Sequence, residues 1–127
     1  MSTEIKVKNI QSAADLVLED RVHKDLYLDP DIFEEELDKV FNNTWVWVAH
    51  ESEVAEKGSF KTAKIGRHPV IVSKDRKGTV HVLLNRCRHR GATVCEGKKG
   101  KTKAFTCPYH GWGYGLDGSL RALPKPE

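Results

Sequence analysis

Four residues of the kinds that bind metals lie in two short pairs in the last third of the sequence. Cys87 and His89 have one residue between them, and Cys107 and His110 have two. In an extended segment residues i and i+2 point to the same side, and a proline-containing turn brings residues i and i+3 together. Seventeen residues separate the pairs, enough for a hairpin that returns the second pair beside the first. Because thiolates and imidazoles are good metal ligands, the spacing predicts one metal centre held by two neighbouring loops.

These ligand types leave two kinds of centre open. Two cysteines and two histidines could bind one tetrahedral zinc ion, although structural zinc sites commonly pair cysteine with cysteine and histidine with histidine. One cysteine and one histidine on each loop suits a two-iron cluster instead, with both cysteines on one iron and both histidines on the other. Glycines around the loops let backbone approach an inorganic centre closely: Gly91, Gly97, Gly100, Gly111, Gly113 and Gly115. Cys95 lies at no ligand spacing and is predicted to be a small buried apolar residue.

Composition and charge argue against several other classes of protein. The chain has 127 residues, enough for one buried core, and is 39% apolar and 31% charged. A net charge of +3 is small, and no run of basic residues interleaved with aromatic ones indicates a nucleic-acid groove. No apolar run reaches the roughly eighteen residues of a membrane span, and the N-terminus lacks the pattern of a signal peptide. We therefore expect a cytoplasmic protein with no nucleic-acid or membrane partner, whose cysteines bind metal rather than form disulfides.

The chain is predicted to divide near Asn43 into a helical arm, residues 1–43, and a β domain, residues 44–127. Asp29 can cap a helix and Pro30 suits its first turn, which predicts a helix over residues 30–41. Its apolar residues recur at helical spacing: Phe33, Leu37, Val40 and Phe41. A short helix is also predicted within residues 13–18. The apolar face of the longer helix could pack on the domain's own sheet or on a part of a larger protein.

After Asn43 the apolar period changes to two, which indicates strands. Strands are predicted at residues 45–49, 60–65, 70–73, 79–84, 104–106, 114–116 and 119–122. Residues 74–78 and the Asp117-Gly118 pair indicate hairpin turns. Trp45 and Trp47 are expected to pack within the first strand. Many short strands at this spacing predict a mostly β protein with an antiparallel sandwich or small barrel.

The letters around the ligand pairs resemble a known family. "CRHRG" and "CPYHGWGY" are similar to the two cluster loops of Rieske-type ring-hydroxylating oxygenases. The resemblance implies a Rieske-type antiparallel β-sandwich, with a small cluster-binding subdomain of two loops, preceded by a helical arm. It implies that four residues bind one Rieske [2Fe–2S] cluster: Cys87, His89, Cys107 and His110. It also implies that their neighbours form the environment of the cluster: Arg88, Arg90, Gly91, Pro108, Tyr109, Gly111 and Trp112.

The resemblance favours one branch of the family. Rieske proteins of respiratory complexes carry an extra cysteine in each loop, where this chain has Ala92 and Tyr109. The segment "DLYLDPDIFEEELDKVFNNTWVWVAHESEV" looks like the one that precedes the Rieske domain in oxygenase α subunits. A stand-alone Rieske-type ferredoxin, the alternative, begins almost directly with its first strand. A zinc-stabilised binding module is a third alternative.

The function implied by the resemblance is electron transfer within a Rieske non-heme iron aromatic ring-hydroxylating dioxygenase. A ferredoxin or flavin reductase would supply electrons. The acceptor would be a mononuclear Fe(II) that activates O₂, in the catalytic domain of a neighbouring α subunit, and a β subunit could complete the assembly. That iron is expected only in a catalytic domain beyond Glu127, so this chain alone should carry electrons without catalytic residues of its own. The basic segment 96–103 could be a docking patch for an acidic donor or simply a solvated turn.

Overall fold

The computed structural model describes residues 12–124, and the chain divides into two compact units. One unit ends at Trp45 and the other begins at Val46. The predicted boundary at Asn43 lies two residues before this division, and the assignment of residues 1–43 as a separate domain stays a prediction. Within the described residues no helix is long and apolar enough to cross a membrane.

In the first unit, the main helix begins where the sequence predicts. Helix α1 spans Asp25–Leu28, and helix α2 spans Pro30–Glu36. The Asp29 carboxylate caps α2 by accepting hydrogen bonds from the N–H groups of Asp31, at 2.9 Å, and Ile32, at 3.4 Å. The chain then continues as a π-helical segment over Leu37–Phe41. The predicted bounds, 30–41, are therefore confirmed, but the last five residues form a wider turn than an α-helix has.

The apolar residues of this helix are unevenly covered. Leu37 is buried, whereas 47% of Phe33 and 44% of Val40 is exposed. A short 3₁₀ turn at Ala13–Leu16 lies within the predicted short helix, and its Leu16 is buried. The first unit thus leaves part of its predicted apolar face exposed to solvent.

The second unit contains two antiparallel sheets, which confirms the predicted mostly β fold. The strands of the larger sheet are β1 (Ser59–Ile65), β2 (His68–Lys74), β3 (Val80–Leu84) and β4 (Lys99–Lys101), in the order β3-β2-β1-β4. The smaller sheet, in the order β5-β6-β7, contains β5 (Phe105–Thr106), β6 (Gly113–Tyr114) and β7 (Leu120–Ala122). A 3₁₀ turn at Glu51–Val54 precedes β1.

Both predicted hairpins form, and an aspartate organises each turn. Asp75 accepts hydrogen bonds from the N–H groups of Lys77 and Thr79, at 2.8 and 2.9 Å, between β2 and β3. Asp117 accepts one from the N–H of Ser119, at 3.1 Å, between β6 and β7. The second turn also contains Gly118, whose φ of +80° lies in the left-handed region that only glycine adopts easily. These local interactions explain why the turns were visible in the sequence.

The core lies between the two sheets and reaches the base of the predicted ligand loops. Its buried residues come from β2, β5, β6 and the loops: Ile71, Cys87, Val94, Phe105, Cys107, Tyr114 and Leu116. Ser73, fully buried on β2, donates its hydroxyl proton to the carbonyl of Leu116 at 2.6 Å. Both predicted cysteine ligands are therefore part of the packed interior.

One strand prediction is wrong, and one observed strand was not predicted. Residues 45–49 form no strand, and both tryptophans are exposed, Trp45 at 103% and Trp47 at 77%. All five residues are apolar, but a strand also needs a neighbour to pair with, and no described strand pairs with this segment. The free edge of β1 pairs instead with β4, through Ser59 with Lys101 and Lys61 with Lys99. The sequence did not predict β4, because its three residues carry no apolar period.

Candidate metal centre

Two six-residue loops with the same backbone form the centre of the candidate site: loop 1, residues 87–92, and loop 2, residues 107–112. In each loop the N–H of the first residue donates to the carbonyl of the sixth, and the N–H of the fifth donates to the carbonyl of the first. The N···O distances are 2.7 and 2.9 Å in loop 1, and 2.8 and 3.0 Å in loop 2. The fifth residue is glycine in both, and Gly91 and Gly111 share a φ of +76°. Each loop therefore needs its glycine to turn back on itself.

The smaller sheet positions loop 2 directly. Strand β5 leads into loop 2 and β6 leads out of it, and the two strands pair through Phe105 with Tyr114 and Thr106 with Gly113. Loop 1 follows β3, whose last residue is Leu84. The connection from loop 1 onward to β4 is irregular. The structure therefore brings the two predicted ligand pairs to adjacent loops, as their spacing predicted.

Within this site the cysteines face inward and the histidines face outward. Only 4% of Cys87 and 2% of Cys107 is exposed, and both belong to the same buried cluster. His89 and His110 are exposed, and their Nδ1 atoms are 3.2 Å apart. Two sulfurs thus form a pair in the core, and two ring nitrogens form a pair near the surface.

This arrangement fits a two-iron cluster better than a single ion. Among residues 12–124, no three His, Cys, Asp or Glu side chains are placed so that they could hold one metal ion. A tetrahedral zinc site would need all four ligands around one point. A sulfur pair beside a nitrogen pair is instead the donor set of a cluster with cysteine on one iron and histidine on the other. Ligation by these four residues stays a prediction.

Tyr114 is a site residue that the sequence analysis missed. Its hydroxyl lies 3.2 Å from Cys87 Sγ and accepts the backbone N–H of Arg88 at 3.0 Å. Because the Arg88 N–H occupies an acceptor position of the hydroxyl, the phenolic proton is free to be donated to the sulfur. Burial raises the pKa of Cys87, but hydrogen bonds from Tyr114 and from the N–H of His89 outweigh it, so the pKa is lowered. Burial and the bond to Cys87 raise the pKa of Tyr114.

The sequence carried one signal that could have identified this tyrosine. Trp112, Tyr114 and Leu116 alternate after the second ligand pair, and residues two apart in a strand face the same side. Tyr114 is 8% exposed and Leu116 is 5% exposed, while Trp112 is partly buried against the same core. The alternation therefore indicated which side chains face the core, and one of these, Tyr114, contacts Cys87 Sγ.

Aromatic rings lie against both histidines. The Trp112 ring of loop 2 stacks on His89 of loop 1, with centroids 4.9 Å apart and planes inclined by 14°. The Tyr109 ring lies against His110 of its own loop, with centroids 3.8 Å apart and planes inclined by 35°. The structure therefore places Trp112 and Tyr109 beside the predicted ligands, where they restrict the orientation of the imidazoles.

The other predicted neighbours lie at the surface of the loops. Arg88, Arg90 and Pro108 are exposed. A side chain at Gly91 would meet the guanidinium of Arg86, since its Cβ would lie 3.3 Å from Arg86 Nε. These cations give the exposed end of the site a positive charge.

Cys95 and the basic segment complete the set of predicted residues, and Cys95 packs against the buried cluster that contains both cysteines of the pair. Cys95 is only partly buried, and its thiol donates to the Gly97 carbonyl at 3.7 Å. Burial raises its pKa, which makes it a poorer metal ligand at neutral pH. In the basic segment, Lys101 forms an ion pair with Glu56, while Lys98 and Lys99 are exposed.

Comparison with known proteins identifies relatives of the chain. The family description "Rieske [2Fe-2S] domain" matches residues 44–127. The large subunit of anthranilate 1,2-dioxygenase from Acinetobacter baylyi is 42% identical over 106 residues, 84% of this chain and 22% of that protein. The large oxygenase component of the naphthalene 1,2-dioxygenase system from Pseudomonas aeruginosa is 38% identical over 119 residues, 94% of this chain and 26% of that protein.

Solved structures of oxygenases also resemble this chain. Naphthalene 1,2-dioxygenase from Rhodococcus sp., bound to indole, superposes with a TM-score of 0.73 at 43% identity, over 76% of this chain and 22% of that one. A quaternary ammonium Rieske monooxygenase, described with insights into carnitine oxidation and inter-subunit electron transfer, has a TM-score of 0.73 at 32% identity, over 78% of this chain and 27% of that one. The chain thus spans about a quarter of the length of these relatives.

Proposed function

Since the chain belongs to the Rieske [2Fe–2S] domain family, we propose that it carries electrons from a ferredoxin or flavin reductase to the O₂-activating iron of an aromatic ring-hydroxylating oxygenase. The observation that carries the proposal is the buried pair of cysteines beside the exposed pair of histidines. Bound there, a Rieske cluster would accept and release one electron at a potential of about −150 to +300 mV.

The residues of the chain have distinct tasks in this proposal. Cys87 and Cys107 would hold one iron, and His89 and His110 the other. Burial of the cysteines excludes water from the sulfur side, and the Tyr114 hydroxyl stabilises negative charge on Cys87 Sγ at 3.2 Å. Because Nδ1 of each imidazole faces the other ring, Nε2 is the nitrogen left to meet an acceptor.

The choice of an oxygenase over a stand-alone ferredoxin rests on the arm. Residues 44–127 make up about two thirds of the chain, whereas the naphthalene relative matches over 94% of it, so the likeness extends into the arm. Those relatives are named for anthranilate and naphthalene, and the carnitine-oxidising relative is less similar, at 32% identity. These likenesses support an aromatic substrate for the whole enzyme.

The acceptor in this proposal is the mononuclear iron of a neighbouring α subunit, and a relative described with inter-subunit electron transfer supports transfer between subunits. The exposed cations Arg88 and Arg90 stand beside the histidines and would attract an acidic electron donor. A β subunit could complete the assembly. A cytoplasmic location belongs to the same proposal, because a reducing compartment keeps the three free cysteines reduced.

Metal and sulfide analysis of the purified chain tests the proposal. We expect about two irons and two sulfides per chain, and a rhombic electron paramagnetic resonance signal after reduction. Cys107→Ala should lose the cluster, because it removes a sulfur from the buried pair. Cys95→Ala is the matched control, since it removes the one cysteine outside the pair and should keep the cluster. A zinc-loaded wild-type chain, or cluster loss in Cys95→Ala alone, would overturn the proposal.

A further inference from the structure

The two loops of the site share a backbone but are closed at their bases in different ways. Loop 2 stands on β5 and β6, which pair through Phe105 with Tyr114 and Thr106 with Gly113. Loop 1 leaves β3 at Leu84 and continues irregularly, and no described strand pair joins its two ends. Beyond the backbone bond between Cys87 and Ala92, the chain on either side of loop 1 therefore needs another connection if Cys87 and His89 are to keep a fixed position.

The side chain of Asn85 makes that connection. Its Oδ1 accepts hydrogen bonds from the N–H groups of Val94, at 3.1 Å, and Cys95, at 2.8 Å. Its Nδ2 donates to the carbonyl of Cys95 at 2.7 Å. The backbone N–H of Asn85 donates to the carbonyl of Pro69 on β2, at 2.9 Å, which ties the residue to the larger sheet. The amide side chain of Asn85 thus joins the two ends of the segment that contains loop 1, as a short strand pair does for loop 2.

The location of these bonds gives them a role beyond packing. Asn85 lies two residues before loop 1 begins, and Val94 lies two residues after it ends. Only 5% of Asn85 is exposed, so water cannot readily replace the three bonds when they are lost. Opening this connection would let both predicted ligands of loop 1 move, while loop 2 would stay fixed by its strands.

We propose that Asn85 is a positioning residue that closes the base of loop 1 and holds Cys87 and His89 opposite the ligands of loop 2. This inference rests on the proposed function, because its consequences are read from the bound cluster. The Nδ1 atoms of His89 and His110 are 3.2 Å apart across the two loops, so a shift of loop 1 alone changes the distance between them. Asn85 acts through these residues and does not touch the reacting atoms.

Asn85→Ala and Asn85→Asp in the cluster-loaded chain test this role against a purely structural one. Asn85→Ala removes all three side-chain bonds and should release iron to a chelator about ten-fold faster than the wild type, with altered g values of the reduced cluster. Asn85→Asp keeps both acceptor bonds but places a carboxylate oxygen against the Cys95 carbonyl, so it should also speed iron release and alter the g values. If Asn85→Ala does not fold, the iron-release rate and the g values of Asn85→Asp alone test the inference.

Ser73→Ala is the matched control for lost stability. Ser73 is as deeply buried and gives up one hydrogen bond of 2.6 Å to Leu116, but it is not attached to either loop. It should lower resistance to denaturant while iron release and g values stay those of the wild type. Unchanged release and g values in the Asn85 variants, or equal changes in Ser73→Ala, would overturn the inference. A wild-type chain that binds no cluster would instead overturn the proposed function.

Discussion

The hydrogen bond from Tyr114 to Cys87 should raise the reduction potential of the bound cluster. Reduction adds negative charge to the centre, and a donor to a ligand sulfur stabilises that charge. The Tyr114 hydroxyl lies 3.2 Å from the sulfur and accepts the Arg88 N–H at 3.0 Å. A cluster-bound thiolate has no proton, so the hydroxyl would be the donor. Tyr114→Phe removes this proton and keeps the buried ring, so we expect the potential to fall.

The worth of one buried hydrogen bond sets the upper limit of the shift, because only the part by which the bond strengthens on reduction changes the potential. Such a bond contributes about 0.5–1.5 kcal/mol net. For a one-electron couple, 59 mV corresponds to about 1.4 kcal/mol, so loss of the bond should lower the potential by up to about 20–60 mV. A redox titration of the purified chain, followed by the visible circular dichroism of the cluster, measures the difference between variant and wild type.

Tyr109→Phe provides the matched control for this titration. Tyr109 also stands beside a predicted ligand, with its ring 3.8 Å from that of His110, but it is 59% exposed, and no hydrogen bond from it to a sulfur is found in the described chain. The same loss of a hydroxyl should therefore leave the potential within a few millivolts of the wild type. Equal shifts in the two variants, or no shift in Tyr114→Phe, would refute the reasoning.

Two further predictions concern the turns and the basic segment. Hydrogen bonds from the hydroxyl and N–H of Ser119, together with Arg121, lower the pKa of Asp117 to about 2. Since this is below the value of about 3.9 in an unfolded chain, Asp117 stabilises the fold above that pH and loses the effect as pH falls toward 2. Asp117→Asn should flatten the acid side of a denaturation-against-pH curve, and an unchanged slope would contradict this. Charge reversal at Lys98 and Lys99 should slow reduction of the intact oxygenase by its donor at low salt and not at high salt. If the variant is reduced at the wild-type rate at low salt, this segment does not act as a docking patch.

The ligand loops could be predicted from the sequence because their information is local. Cys87 and His89, like Cys107 and His110, are close in sequence, and Gly91 and Gly111 mark the turns that hold them. The hairpins were predictable for the same reason, since Asp75 and Asp117 form their turns with residues two to four positions away.

The features that the sequence did not reveal depend on distant partners. Strand β4 contains Lys99, Gly100 and Lys101 and forms because β1 offers it a free edge. Residues 45–49 have a strand-like composition but no strand to pair with in the described structure. Tyr114 became a site residue only when folding brought it against Cys87, 27 positions earlier. Pairing and tertiary contact, rather than propensity, decided each case.

The two loops have the same backbone shape, although the residues of their ligand pairs are spaced differently. Because loop 1 and loop 2 make the same two backbone hydrogen bonds, their corresponding residues occupy equivalent positions. Cysteine is the first residue of each, where its N–H is bound within the loop and its side chain joins the core. The histidine is the third residue in loop 1 and the fourth in loop 2, so the two imidazoles leave different positions of one backbone shape and still meet at 3.2 Å. The facing loops are thus alike in backbone and unlike in side-chain placement. Asn85 and Tyr114 add to that difference, because each acts on loop 1, the loop that lacks a strand pair at its base.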